Sequence, residues 1–237
     1  MCQGGPTSRS YSQAPSSTNA ANNLVCAARR MPRPAYSLVA AMVYISKVYT
    51  RFGDQGQTML ASGDTVSKSS QRVRSYGEVD ELNCVIGLLR TELARDPKAE
   101  PQMRAQLDDE LARIQQELFN LGAELATPAA AEGGARLQIH ERHIEALERS
   151  IDAYNESLSP LRSFILPGGG PTGAAAHLGR TVCRRAEREV VALAGQEPVR
   201  GEALRYLNRL SDWLFVVARA VAQRFGYDEV LWDQERT

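Results

Sequence analysis

Four charged residues at helical spacing are the chemically most informative feature of this 237-residue sequence. Arg180, Arg184, Glu187 and Arg188 are separated by four, three and one positions, and such spacings place side chains on one face of an α-helix. Three guanidinium groups beside one carboxylate favour an anionic ligand, because arginine binds phosphate oxygens through paired hydrogen bonds. A solvated helix face with intrahelical ion pairs would give the same pattern. The spacing therefore indicates one of these two arrangements.

A glycine-rich loop precedes this helix and predicts where it begins. The sequence FILPGGGPTG places three consecutive glycines between Pro167 and Pro171. Proline is favoured in the first turn of a helix, and small residues follow Pro171. A glycine loop that leads into a charged helix face favours the phosphate-site interpretation over the solvated face.

A second segment rich in glycine and hydroxyl side chains lies near residue 50. The sequence YTRFGDQGQT spans residues 49–58 and follows a short apolar stretch. Its glycines permit positive φ angles, so successive amide groups can turn towards an anion, and Lys68 lies ten residues further along to complete a triphosphate pocket. The segment is not a Walker A loop, because the GxxxxGK[ST] order is absent. An ordinary turn is the alternative, since GD and DQG also mark turns.

Charge and hydropathy exclude several classes of partner. The chain carries 28 basic and 28 acidic residues, so it offers no electrostatic basis for binding nucleic acid or an anionic membrane. No apolar run approaches 18 residues, and no membrane span is predicted. The three histidines, His140, His143 and His177, show no metal-ligand spacing, so we predict no protein-bound metal centre.

The first 41 residues differ in composition from the rest of the chain. They are rich in Ser, Ala, Asn and Pro, contain arginines and lack acidic residues; the first carboxylate is Asp54. An arginine-bearing, acid-free leader is typical of organelle transit peptides. Alternatively, Met42 is the true start, and residues 1–41 are untranslated or a disordered tail. In either case we predict a leader at 1–41 and one folded domain at 42–237.

Apolar periodicity predicts the architecture that positions these residues. Beyond Gly77, apolar residues recur at alternating spacings of three and four in five segments, which is how antiparallel bundle helices meet. We therefore predict an all-α fold, a five-helix up-and-down bundle preceded by an irregular N-terminal arm. The five stripes are Val79, Leu82, Ile86, Leu89 and Leu93; Leu107, Leu111, Ile114, Leu118, Leu121 and Leu125; His140, Ile144, Leu147, Ile151, Tyr154 and Leu158; Leu178, Val182, Ala186 and Val190; and Leu207, Leu210, Leu214, Val217 and Val221.

Polar residues interrupt two of these predicted helices. Asp80 and Glu81 fall in the first turns of the first predicted helix, where the helix dipole alone would favour carboxylates. Asn208 and Asp212 are four residues apart beside the last apolar stripe. A buried asparagine there either fixes the register of the bundle or binds a ligand.

Four segments in this order resemble the PduO-type ATP:cob(I)alamin adenosyltransferases. They are YTRFGDQGQT, YGEVDELN, FILPGGGPTGAAAHLGRTVCRRAER and YLNRLSDWLF, and the resemblance runs from about residue 47 to residue 232. It implies a five-helix bundle, usually a homotrimer with active sites at the subunit interfaces. The implied reaction transfers the adenosyl group of ATP, with its Mg²⁺, to the cobalt of cob(I)alamin and releases triphosphate.

The resemblance also assigns roles to individual residues. It implies a pair between Asp80 and Arg180 across the subunit interface, and it places Phe164 beneath the corrin ring with Gly168 and Gly169 beside the cobalamin. The residues expected to act in catalysis are Phe164, Arg184, Asp80 and Arg180. The residues expected to bind ATP are Thr50, Arg51, Phe52, Gly53, Gly56, Gln57, Thr58, Lys68, Arg184, Arg185, Glu187, Arg188 and Asn208.

Phe52 and Gln57 depart from the family pattern, which usually has threonine at both positions. Backbone contacts to ATP would survive this change, whereas side-chain hydroxyl contacts at these two positions would not.

The implied chemistry explains why the sequence needs no nucleophilic triad. Cobalt(I) is itself the nucleophile that attacks the 5′ carbon of ATP. The protein must align the two reactants and stabilise the departing triphosphate, for which Arg, Lys and Mg²⁺ are suited. An apolar side chain such as Phe164 under the ring would exclude the lower axial ligand and make cobalt(II) easier to reduce.

The resemblance implies two further partners, a cob(II)alamin reductase and an adenosylcobalamin-dependent acceptor enzyme. The compartment would be the cytoplasm for a bacterial protein, or the mitochondrial matrix if the leader is a transit peptide. One alternative function is a bundle that stores or delivers a corrinoid or nucleotide without chemistry; the intact loop, Lys68 and arginine helix argue against it. Another is an oligomerisation module without a ligand, which would leave the glycines at 168–170 without a purpose.

Overall fold

The computed structural model describes residues 49–131, 134–135 and 137–236, and these residues form a five-helix bundle. The predicted all-α bundle is confirmed. The predicted leader and the boundary at residue 42 lie outside the described residues. The helices are α1 (Gln71–Arg95), α2 (Pro101–Leu125), α3 (Glu141–Asn155), α4 (Gly170–Ala194) and α5 (Gly201–Arg224).

The segment before α1 is more regular than expected. A 3₁₀ turn at Phe52–Gln55 leads into strand β1 (Gln57–Met59), which pairs with strand β2 (Thr65–Ser67) in an antiparallel hairpin. Each strand has only three residues, too few for a period-two pattern to stand out from the surrounding polar sequence. The hairpin places Lys68 directly after β2 and opposite the loop that precedes β1.

The helices share one core. α1 packs against α2 and α4, α4 packs against α5, and α5 packs against α3. The apolar stripes predicted for α1, α2 and α5 are buried in this core, together with the large side chains of Tyr206 and Trp213 on α5. Burying one such side chain contributes about 1.5–3 kcal/mol, so the core holds the helices that carry the polar residues discussed below.

The start of α1 differs from the sequence prediction. The helix begins at Gln71, after Ser70 in an extended conformation, and not after Gly77. Its first turns bury Arg72 and Ser75, which are polar and therefore leave no apolar stripe. Asp80 is consequently the tenth residue of the helix, counting from 71. The dipole interpretation of Asp80 is wrong, because that effect is confined to the first turn.

Two other predicted stripes are partly wrong. His140 precedes α3 and is exposed, and Leu158 lies beyond its end. Leu178 of α4 is 46% exposed. The buried face of α4 consists largely of small residues, and a search for large apolar side chains does not detect them. These residues are Ala175, Ala176, Gly179, Val182, Cys183, Ala186 and Val190.

Among the residues that the structure describes, no helix combines the length and the apolar character needed to cross a membrane.

Candidate functional site

The segment at 50–58 forms a compact loop with unusual backbone geometry. Arg51 has φ 64° and Gly56 has φ 78°, at the two ends of the 3₁₀ turn. A left-handed conformation at a non-glycine residue costs about 1–3 kcal/mol and is common where a backbone is shaped around a ligand. The N–H of Phe52 donates to the Thr50 hydroxyl over 3.4 Å, and the N–H of Lys68 donates to the Gly56 carbonyl over 2.9 Å. These contacts fold the loop back onto the end of the hairpin.

Lys68 lies directly against this loop. A side chain at Gly53 would put its Cβ 2.8 Å from Lys68 Nζ, so the ammonium group lies in the space that the glycine leaves open. The lysine side chain remains exposed. An exposed ammonium group beside a strained, glycine-containing loop is suited to an anionic ligand such as a phosphate.

Hydrogen bonds between α1 and α4 bring the loop and the arginine helix to the same end of the bundle. Gln71 Nε2 donates to the Glu189 carbonyl over 3.0 Å and to its carboxylate over 2.8 Å, and the Ser75 hydroxyl donates to the Glu189 carbonyl over 2.9 Å. Gln71 comes three residues after Lys68, and Glu189 comes directly after Arg188. Two segments separated by more than 100 residues in sequence therefore meet at this junction.

The arginine face of α4, defined as Arg180, Arg184, Glu187 and Arg188, carries two exposed cations. Arg184 and Arg188 are exposed, and neither forms an ion pair with a described residue. Glu187 instead accepts a hydrogen bond from Asn208 Nδ2 on α5 over 3.1 Å. The solvated-face interpretation requires intrahelical ion pairs, and these do not form. The two guanidinium groups remain available to an anion.

Arg180 is buried more deeply and lacks a full set of partners. Its Nε is buried and has no hydrogen-bond partner among the described residues. Burial, followed by the neighbouring charge of Arg184, lowers the pKa of Arg180 below its ordinary value. Asp80, the partner that the family resemblance implies, is exposed on α1 and makes no ion pair with Arg180 within this chain. A buried polar atom without a partner is costly, so this nitrogen favours a partner beyond the described residues of this chain.

Arg185 is placed differently from its neighbours. Its Nε lies 2.6 Å from a carboxylate oxygen of Glu78, and its Nη2 contacts the Glu81 carboxylate. Both acids belong to α1, so Arg185 ties α4 to α1. The sequence grouped Arg185 with the ATP-binding residues, and in this chain its charge is already balanced.

Phe164 lies on a short backbone ladder and is not part of the hydrophobic core. Its N-terminal neighbour Ser163 and the residues after it run beside the C-terminal segment, with a bridge between Ile165 and Leu231. The Trp232 N–H donates to the Phe164 carbonyl over 2.7 Å, and the two rings lie 6.2 Å apart. The Phe164 side chain is 76% exposed.

The surroundings of Phe164 are also apolar and exposed. They include the large side chains of Leu161, Leu166, Val230, Leu231 and Trp232. Contiguous exposed apolar residues mark binding surfaces in soluble proteins, and this patch is suited to a flat apolar ligand. Sequence reasoning identified Phe164 but missed the C-terminal contribution, because Val230–Trp232 lies outside the helical pattern.

The glycine loop at 168–170 has a structural explanation of its own. Gly169 and Gly170 have φ angles of 81° and 75°. An added Cβ at Gly169 would lie 2.9 Å from the Ala222 side chain, and one at Gly170 would overlap the ring of Tyr227. These glycines are required by backbone conformation and close packing. They therefore do not by themselves indicate a ligand, and the glycine loop gives less support to a phosphate site than its sequence suggested.

The described residues include no group of three or more His, Cys, Asp or Glu side chains positioned to hold a metal ion. The functional groups brought together are thus cations and backbone amides at one end of α1 and α4, and an apolar surface around Phe164.

Comparison with known proteins connects this arrangement to a family. The family model described as cobalamin adenosyltransferase matches residues 48–221. A corrinoid adenosyltransferase of Bacillus subtilis is 44% identical over 188 residues, which cover 79% of this chain and 93% of that relative. A cobalamin adenosyltransferase of Cupriavidus metallidurans is 43% identical over 192 residues, 81% of this chain and 97% of that relative.

Solved structures agree with this match. A phenylalanine-to-alanine variant of a PduO-type ATP:corrinoid adenosyltransferase from Lactobacillus reuteri, complexed with cobalamin and ATP, is 35% identical with a TM-score of 0.72, covering 79% of this chain and 100% of that one. An arginine-to-lysine variant of the L. reuteri enzyme, complexed with ATP, is 36% identical with a TM-score of 0.70, covering 78% and 100%. The chain therefore belongs to the cobalamin adenosyltransferase family.

Proposed function

We propose that the protein is an ATP:corrinoid adenosyltransferase, which transfers the 5′-deoxyadenosyl group of ATP to the cobalt of cob(I)alamin. Cobalt(I) supplies the electron pair, a cobalt–carbon bond forms at the 5′ carbon, and the carbon–oxygen bond to triphosphate breaks. The products are adenosylcobalamin and triphosphate. The observation that carries the proposal is the pair of unpaired arginines, Arg184 and Arg188, in a chain that belongs to this family.

The triphosphate is bound between the N-terminal loop and the arginine face. Lys68 presents an ammonium group beside Gly53, and the α1–α4 junction brings this loop towards Arg188. Positive groups fixed in place before the reaction stabilise the charge that develops on the leaving triphosphate without further reorganisation. Asn208 holds Glu187, so the carboxylate does not neutralise the arginines.

Mg²⁺ is expected to accompany the nucleotide. The described residues include no group of three or more His, Cys, Asp or Glu side chains placed to hold a metal ion, and in this proposal the ion enters with the nucleotide, held by its phosphate oxygens. This is the usual manner for Mg²⁺, which keeps several waters and binds through substrate phosphates. When bound, the ion neutralises part of the triphosphate charge; Lys68, Arg184 and Arg188 neutralise the remainder.

Cobalamin binds at the apolar surface around Phe164, with the Gly168–Gly169 backbone at its edge. The exposed Phe164 ring occupies the space beneath cobalt where water or the corrinoid's own base would otherwise coordinate. Without that ligand cobalt(II) is easier to reduce, which favours formation of the cobalt(I) nucleophile. This role depends on the ring being held in a fixed place.

The active form is a homotrimer with sites at the subunit interfaces. The partly buried Arg180 has a buried Nε without a partner among the described residues, while Asp80 presents a carboxylate to solvent on the adjacent helix. A second copy would bring Asp80 of one subunit to Arg180 of the next and satisfy both. The same contact would place the arginine face of α4 at the interface.

Product formation from chemically reduced cobalamin tests the proposal. Purified protein is incubated with ATP, Mg²⁺ and cob(I)alamin, and the cobalt–carbon spectrum is followed together with triphosphate release. We expect equal amounts of adenosylcobalamin and triphosphate. Tight binding of ATP and cobalamin without product would favour a corrinoid carrier, the alternative from a different functional class.

The reaction has two further requirements in the cell. A reductase must supply cob(I)alamin from cob(II)alamin, and an adenosylcobalamin-dependent enzyme must accept the product. We place these steps in the cytoplasm if the chain is bacterial, or in the mitochondrial matrix if residues 1–41 are a transit peptide.

A further inference from the structure

A buried carboxylate joins three segments near the glycine loop. Asp96, directly after α1, is 1% exposed. One oxygen accepts a hydrogen bond from the Thr172 hydroxyl in the first turn of α4 over 2.8 Å; the other accepts from the Tyr227 hydroxyl over 2.8 Å and from the Lys98 N–H over 3.1 Å. Burial alone would raise the pKa of Asp96, but these hydrogen bonds together hold it below its usual value. The carboxylate is charged and fully partnered.

Tyr227 is partly buried and contacts this cluster through both its hydroxyl and its ring. Its ring fills the space that a side chain at Gly170 would need. Lys98 Nζ lies 4.2 Å from the centre of the ring and donates to the Gly226 carbonyl over 2.9 Å. Hydrogen bonds to a charged group are among the stronger ones in proteins, so the Tyr227–Asp96 contact fixes the point where the chain leaves α5.

The segment that starts at Tyr227 is what holds Phe164. The Leu166 N–H donates to the Val230 carbonyl over 2.8 Å, and the Trp232 N–H donates to the Phe164 carbonyl over 2.7 Å. The Phe164 side chain itself is mostly exposed, so core packing does not fix it. The position of Phe164 therefore depends on these backbone hydrogen bonds. They depend in turn on the contacts that hold the C-terminal segment in place.

One further contact supports the same segment. Arg219 Nε donates to the Glu229 carboxylate over 3.0 Å, and the Arg219 guanidinium donates to the Ser159 carbonyl over 2.8 Å. Tyr227 and Glu229 thus anchor the stretch before Val230, and only the tyrosine anchor also reaches the start of α4 through Asp96 and Thr172.

We propose that Asp96, Thr172 and Tyr227 form a positioning network that fixes the place of Phe164 beneath the corrin ring. The network touches neither substrate; it acts through the C-terminal segment. This inference rests on the proposed function, because it concerns the apolar wedge at cobalt. A loosened network lets the ring move aside, so an axial ligand re-enters and reduction of cobalt(II) becomes slower.

Hydrogen exchange tests the mechanical part of the proposal without substrates. In Tyr227→Phe the ring remains and only the hydroxyl bond to Asp96 is lost. We expect exchange of the Leu166 and Trp232 amides to accelerate by about tenfold or more, as loss of one hydrogen bond to a charged group implies. Amides in the middle of α2 should exchange as in the wild type.

Tyr206→Phe is the matched control. It removes a hydroxyl that donates to the Glu117 carboxylate over 2.8 Å, the same chemical change at the same distance. Tyr206 belongs to α5 and is fully buried, and its hydroxyl reaches Glu117 on α2. This variant should not selectively accelerate exchange at Leu166 and Trp232. Lys98→Met is a second probe of the network, since it removes the cation over the Tyr227 ring.

Two activity assays test the positioning role. We expect Tyr227→Phe to slow adenosylation of cob(II)alamin with a reductant by about tenfold relative to adenosylation of pre-reduced cob(I)alamin, with unchanged ATP affinity. Wild-type exchange at Leu166 and Trp232 in both Tyr227→Phe and Lys98→Met would overturn the network. Faster exchange with equal loss in the two assays would overturn its role at cobalt. An inactive wild-type protein would instead defeat the proposed function, and the positioning role with it.

Discussion

At the scale of single residues, the arginines of α4 differ in what they contact. Among the described residues, Arg184 and Arg188 are exposed without an ion pair, Arg185 contacts two acids of α1, and Arg180 is partly buried with its Nε unsatisfied. Helical spacing predicts a shared face for three of them but cannot show which charges are already balanced by another helix. That distinction requires the packing of α1 against α4.

Removal of Arg184 or Arg188 should impair catalysis without harming the fold. A charge-assisted contact to phosphate contributes roughly 1.5–3 kcal/mol, so we expect Arg184→Ala and Arg188→Ala each to lower kcat/KM by about tenfold to a hundredfold. Melting temperatures should change little, because both side chains are exposed. Arg149→Ala, at another exposed arginine on α3, serves as the control and should retain activity. Wild-type ATP affinity and rate in both variants would refute the triphosphate assignment.

Phe164→Ala should slow the reduction of cobalt(II) more than it slows the transfer of the adenosyl group. The ring is 76% exposed, so its removal costs little stability, and ATP binding should remain normal. With the space beneath cobalt empty, an axial ligand can coordinate and stabilise cobalt(II). We expect adenosylation of cob(II)alamin with a reductant to slow far more than adenosylation of pre-reduced cob(I)alamin.

The alternative is that Phe164 only packs its loop. In that case its removal would slow both reactions alike, and the melting temperature would fall only slightly because the ring is exposed. Equal slowing in the two assays would eliminate the wedge role.

At the scale of elements, the helices with long stripes of large apolar residues were predicted most accurately from the sequence. The stripes of α2 and α5 are long and rich in leucine and valine, and they are buried as predicted. The start of α1 was missed because its buried residues, Arg72 and Ser75, are polar, and the α4 stripe was misjudged because its contacts are made by alanine and glycine. The ladder at Phe164 was missed because it pairs residues about 65 positions apart, which no local pattern reveals.

Substitutions on α2 should distinguish its two faces. Leu111 is completely buried, so Leu111→Ala removes apolar contacts and leaves a cavity, at a cost of about 2–5 kcal/mol in the free energy of unfolding. Phe119 on the same helix is 66% exposed, and Phe119→Ala should stay within about 0.5 kcal/mol of the wild type. Chemical denaturation monitored by circular dichroism measures both. Similar losses for the two variants would show that the orientation of α2 is incorrect.

At the scale of the whole molecule, two charged groups lack the partner that the proposed trimer would supply. Among the described residues, Arg180 has a buried nitrogen without a partner, and Asp80 stands in the third turn of α1, too far along for the helix dipole to explain it. A single sequence could suggest this pair only through family resemblance, because the two residues would meet between copies. The position of Asp80 within α1 is the structural fact that removes the simpler explanation.

Asp80→Asn should therefore weaken assembly. If Asp80 pairs with Arg180 of a neighbouring subunit, its neutralisation leaves a buried cation uncompensated, at a cost of about 3–5 kcal/mol per interface. A solvent-exposed carboxylate without that partner would contribute only about 0–1 kcal/mol. Sedimentation velocity over a range of concentrations measures the shift from the proposed trimer to smaller species, and activity should fall with it if the sites lie at the interfaces as proposed. Asp152→Asn, an exposed carboxylate on α3, is the control and should sediment as the wild type. An unperturbed trimer with normal turnover in Asp80→Asn would mean that Arg180 is satisfied by some other group.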